Sequence, residues 1–79
     1  MSNTNPLEQA VRHSLERYFA DLGDSAPRDV LAMVISYVER PVLQMALEKT
    51  NGNQSKAAEI LGITRSTLRK KLQAHQITP

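Results

Sequence analysis

The stretch from about residue 27 to residue 50 limits what this chain can fold into. Read at 100° per residue, Val30, Leu31, Met33, Val34, Ile35, Tyr37 and Val38 place apolar groups nearly all round one helix. Val42, Leu43, Met45, Ala46 and Leu47 continue the pattern, leaving a narrow polar stripe of Ser36, Glu39, Arg40, Gln44 and Glu48. A helix apolar over most of its circumference is buried on several sides. A chain of 79 residues has little else to cover it with. The economical reading is a second copy of the chain, with Val30, Leu31, Val34, Ile35, Val38, Val42 and Met45 at the interface. A monomer whose other helices wrap this one is the alternative. Pro41 lies inside the helix and removes one backbone hydrogen bond, which predicts a kink near residues 38–40. The competing reading, a break into two helices, is less economical because the apolar pattern resumes immediately. Pro27 or Asp29 could start the helix, and Asn51 or Gly52 could end it in a left-handed turn.

Nothing else in the composition supplies extra stability. So short a chain buries only about 60% of its unfolded surface, and one this small often needs a partner, a metal or disulfides. It has no cysteine, so disulfides and thiolate metal sites are excluded. His13 and His75 are far apart, lack a second ligand at metal spacing, and read as surface histidines. Upstream, Leu7, Val11, Leu15, Tyr18 and Leu22 share one helical face, with Phe19 beside it. Pro6 suits the first position of that helix, Asn5 its cap, and Gly23 its end. No stretch alternates long enough to form a strand. The expectation is all-α, four helices in one domain.

The last two helices fall in NGNQSKAAEILGITRSTLRKKL, residues 51–72. Asn53 can cap the first, and Gly62 can take the left-handed conformation that ends it. Thr64 can cap a second helix starting at Arg65. A small residue at Ala58, glycine four residues later and Ile63 directly after it fit a helix-turn-helix. On the second helix Leu68 and Leu72 coincide and must face the protein. Ser66, Thr67 and Lys70 lie opposite, flanked by Arg65 and Arg69 on one edge and Lys71 on the other. A helix with one aliphatic stripe and donors elsewhere suits a DNA major groove. The plainer reading is a cationic last turn that complements the helix dipole, and the fixed offsets of glycine, alanine and caps favour the groove.

Charge is divided to match. Residues 1–50 carry five basic against seven acidic side chains, net −2, and residues 51–79 carry five against Glu59 alone, net +4. Such asymmetry points to a polyanion partner for the C-terminal part. The first residues have neither the positive nor the apolar region of a secretory signal. The longest uncharged apolar run, residues 30–38, is too short to cross a bilayer. The expectation is a soluble, cytoplasmic protein with no membrane partner. No nucleophile–base pair, paired carboxylates, phosphate-cradling loop or metal cluster stands out, so neither an enzyme, a small-molecule substrate nor a cofactor is expected.

These residues resemble the Fis family of bacterial nucleoid-associated proteins, over residues 6 to about 77. The resemblance is carried by GNQ at 52–54, Ala57-Ala58, LGI at 61–63 and TLRKKL at 67–72. Pro6-Leu7, YFA at 18–20 and Val38-Glu39-Arg40-Pro41 add to it. It implies an intertwined homodimer: residues 6–50 as dimerisation helices, 51–79 as the helix-turn-helix unit, and 1–5 as a disordered tail. It implies reading helices closer together than one turn of B-DNA, about 34 Å. The DNA, AT-rich and deformable, would then be bent, with sequence read partly through its shape. The nucleoid would be the protein's place in the cytoplasm.

By the same resemblance Arg65 meets a guanine and Lys70 reaches base edges. Asn53, Thr67, Arg69 and Lys71 meet the DNA backbone, and Ser55 and Lys56 are chemically similar to contacts there. Thr64 stands where the family typically has Asn, and offers a hydroxyl and a methyl in place of the Asn amide. Ser66 replaces a small or variable residue. Only five residues precede Pro6, so the N-terminal arm by which the longest members activate DNA invertases is not expected. Two other readings compete: a relative of the DNA-binding domains of NtrC-type activators, and a protein-interaction module using the helix-turn-helix as scaffold.

Overall fold

The computed structural model describes residues 5–78. Among them are four helices and no strand: α1 Pro6–Leu22, α2 Val30–Lys49, α3 Gln54–Leu61 and α4 Arg65–Ala74. The protein is all-α, as its apolar spacing predicts. It divides into two compact units, one ending at Val30 and one beginning at Leu31.

The first unit is α1 and the loop after it. The side chain of Asn5 accepts from the Glu8 N–H at 2.7 Å, and the Glu8 side chain accepts from the Asn5 N–H at 3.0 Å. This reciprocal capping box, with Pro6 at the first helical position, fixes where α1 starts. Asn5 is therefore the cap of α1 and not part of a tail; the rest of the expected tail, residues 1–4, lies outside the described residues. Val11, Leu15, Tyr18 and Leu22 are half-buried on the face their spacing predicts, while Leu7, expected with them, is exposed. Tyr18 and Phe19 meet edge-on with ring centres 5.7 Å apart. No residue of α1 is fully buried.

The second unit holds the core. The buried residues are Leu43, Ala46 and Leu47 of α2, Ala57 and Ala58 of α3, and Leu68 and Leu72 of α4. Leu61, Ile63 and Ile77 close its edge. Thr50 ties α2 to α3, because its hydroxyl bonds the Ala46 carbonyl at 2.9 Å and the Asn53 carbonyl at 3.1 Å. Asn51 and Gly52 are both left-handed, so both candidates for the helix-ending turn are used.

Three sequence expectations for α2 need correction or refinement. It starts at Val30, after both Pro27 and Asp29. Asp29 has φ +52°, a left-handed conformation that cannot belong to a right-handed helix and that Asp tolerates better than most residues. The helix then runs unbroken through Pro41, which excludes two separate helices. Finally, α2 as a whole is long and apolar enough to cross a bilayer, contrary to the estimate from residues 30–38 alone. Two features favour a core or interface role. Glu39 and Arg40 sit mid-helix, where a single Arg costs about 2.5–3.5 kcal/mol in a bilayer. Leu43, Ala46 and Leu47 are already packed in the protein core.

Candidate nucleic-acid interface

The helix-turn-helix is built from small residues and side-chain caps. Asn53 is extended, and its side chain accepts from the Lys56 N–H at 3.0 Å, which starts α3. Ala57 and Ala58 are buried with no bulk between α3 and its neighbours, so α3 and α4 can approach closely. Gly62 ends α3 at φ +74° and ψ +29°, where a residue with a Cβ is strained. The Ile63 N–H then bonds back to the Ala58 carbonyl at 3.1 Å.

Thr64 caps α4. Its hydroxyl accepts from the Thr67 N–H at 3.0 Å and lies 2.9 Å from the Thr67 hydroxyl. Along α4, Leu68 and Leu72 are buried, as their spacing predicts. Arg65, Ser66, Arg69 and Lys70 are exposed, and Thr67 and Lys71 are half-buried at the edges. Asn53, Ser55 and Lys56 are exposed around the first turn of α3, with Thr64 exposed at the start of α4. Of the nine residues singled out from the sequence, seven are exposed on the caps, first turns or outer surface of these two helices, Thr67 is half-buried, and Lys71 is half-buried and turned toward α2.

Lys71 differs from the other cations. Its ammonium lies 2.7 Å from one carboxylate oxygen of Glu39 on α2. The other oxygen of Glu39 is 3.1 Å from Nε2 of His75, just past the end of α4. The Arg40 guanidinium donates to the His75 backbone carbonyl. The Lys71 hydrogen bond first, and the His75 bond second, hold the Glu39 carboxyl below the ordinary carboxylate range, against a smaller opposing effect of burial. His75 is therefore not the surface histidine expected from the sequence: its side chain is only 11% exposed. Sequence reasoning missed the Glu39–His75 pairing because no periodicity links residues on different helices. The available signal was one carboxylate amid the apolar residues of α2 and one histidine closing a basic helix.

Of the residues expected at a dimer interface, Val30, Val34 and Val38 are half-buried, and Leu31, Ile35, Val42 and Met45 are exposed. Leu31 is 74% and Met45 58% exposed, so α2 carries large apolar groups that the core it shares with α3 and α4 does not bury.

Comparison with known proteins agrees with this geometry. The profile described as bacterial regulatory protein, Fis family, matches residues 35–75, from the middle of α2 through α4. A protein of Ralstonia nicotianae described as Fis-like and DNA-binding is 49% identical over 71 residues, covering 90% of this chain and 92% of the relative. A protein of Neisseria meningitidis serogroup A with the same description is 47% identical over 76 residues, covering 95% and 96%. The DNA-binding protein Fis of Proteus mirabilis is 43% identical over 70 residues, 89% of this chain and 71% of that protein.

Proposed function

The chain belongs to the Fis family of bacterial regulatory proteins, and from that premise we propose that it is a DNA-binding, DNA-bending homodimer acting in the nucleoid as a regulator of transcription. The observation that carries this reading is the division of α4. Leu68 and Leu72 fix the helix to the core, while Arg65, Ser66, Arg69 and Lys70 stand exposed on its remaining surface. A rigid helix presenting two guanidiniums, an ammonium and a hydroxyl matches the acceptors of a major groove and its flanking phosphates.

In this reading Arg65 takes a guanine edge and Lys70 reaches bases. Arg69 and Thr67 hold the DNA backbone, with Asn53, Ser55 and Lys56 of the preceding helix start. Thr64 spends its hydroxyl on the cap and on Thr67, so its methyl is the group left for a base. Lys71 would meet a phosphate with part of its charge already engaged by Glu39. The second chain docks on the exposed side of α2, through Leu31, Ile35, Val42 and Met45 with Val30, Val34 and Val38 beside them. Two reading helices held by one dimer act on one duplex, and deformable AT-rich DNA bends most cheaply to meet both.

Binding of labelled duplexes across a salt series tests the assignment. Arg65→Ala should cost about 1–3 kcal/mol and relax base preference at one position. Arg69→Ala should weaken all duplexes alike and reduce the salt slope by about 0.9 per phosphate lost. Unchanged binding in both variants would remove α4 from the interface.

A further inference from the structure

We propose that Glu39 is a positioning residue for the reading helix: it competes with DNA phosphate for Lys71, and protonated His75 relieves that competition. The inference rests on the DNA-binding reading above and concerns how one of its cations is controlled.

The geometry is a carboxylate shared between two partners. Glu39 offers one oxygen to Lys71 at 2.7 Å and the other to His75 at 3.1 Å. All three groups are at least partly covered, so water screens them less than it screens the open cations Arg65, Arg69 and Lys70. With His75 neutral, Glu39 cancels the charge of Lys71, and this corner of the helix-turn-helix offers a phosphate nothing. A phosphate approaching Lys71 would also meet the Glu39 carboxylate. When His75 carries a proton, Glu39 has a second cationic partner directly in contact. The cluster then has net charge +1, and Lys71 can leave for a phosphate without stranding the carboxylate.

The charged groups touching His75 are Glu39 and Arg40 from α2, with Lys71 one turn earlier on α4. Arg40 bonds the backbone carbonyl of His75, which anchors the residue without occupying its ring. Among the described residues, the charged side chains of α3, Lys56 and Glu59, form no ion pair with the cluster.

The test uses the full chain and a labelled AT-rich duplex, with affinity followed against salt at about pH 8 and about pH 6. Wild type should bind several-fold tighter at the lower pH, with a salt slope steeper by up to about 0.9 per chain, the value for one added phosphate contact. His75→Gln should lose that difference; His13 is retained in both proteins, so its contribution cancels. Glu39→Gln should bind several-fold tighter than wild type at the higher pH, and Lys71→Ala added to it should abolish the gain. Thermal melts followed by circular dichroism check that each variant is folded. Matching pH profiles for wild type and His75→Gln would overturn the proposal. So would a folded Glu39→Gln that binds no tighter, which would make Glu39 a brace only. Salt-independent or absent binding by every protein would instead overturn the DNA-binding reading itself.

Discussion

At the scale of single residues, the positions that set the local fold and those that tune it differ in kind. Leu68 is fully buried because its four-residue spacing with Leu72 aims both at the core. Thr64 and Asn53 cap because short oxygen-bearing side chains can reach the free N–H groups of a first turn. Each of these depends on neighbours within four residues, which is why spacing alone locates them. The bond between Glu39 and His75 spans 36 positions and depends on how α2 crosses α4. No local pattern encodes that crossing. Glu39 also makes a prediction of its own. Its pKa is lowered from the ordinary 4.5 by Lys71 and then His75. A depressed carboxylate contributes stability that is complete above its unfolded value and lost as pH falls through the folded one. Wild type should therefore lose melting temperature faster than Glu39→Gln as pH drops below about 4.5. Parallel melting curves for the two proteins through that range would show that the carboxylate adds nothing to folding.

At the scale of elements, boundaries follow backbone conformation more than composition. α1 begins where Pro6 and the Asn5–Glu8 capping box place it. α2 begins at Val30, one residue after Asp29 and three after Pro27, because Asp29 turns left-handed before the helix can form. Pro27 and Asp29 are both familiar starters, and nothing in residue type alone says which conformation Asp29 adopts. The continuity of α2 through Pro41 was legible, because the apolar pattern resumes on the same face right after the proline. The junction between α2 and α3 hangs on one side chain. The Thr50 hydroxyl bonds carbonyls at both ends of that turn, Ala46 behind it and Asn53 ahead. Thr50→Val keeps the shape and deletes the hydroxyl, so it should cost about 0.5–1.5 kcal/mol in denaturant unfolding. It should also loosen the register between α2 and the helix-turn-helix, seen as faster amide exchange at Asn53. No change in either quantity would mean that the backbone bond from Gly52 to Leu47, 2.8 Å, holds the turn without it.

At the scale of the molecule, one chain leaves its largest apolar element half covered. Among the described residues, the buried core of the second unit comes from residues 43–72. Leu31, Ile35, Tyr37, Val42 and Met45 remain open along α2. The excess of apolar surface on that helix was plain from its sequence; which residues the core would claim was not, since packing against α3 and α4 selected only Leu43, Ala46 and Leu47. In the proposed homodimer the second chain would cover the remainder, and two copies of α4 would act together on one duplex. Sedimentation at micromolar protein, alone and with a short AT-rich duplex, tests this most directly. Twice the chain mass is expected for the free protein, and two chains on each duplex in a complex that dissociates as salt rises. A free protein of single chain mass, or one that leaves the duplex unbound at low salt, would contradict this reading.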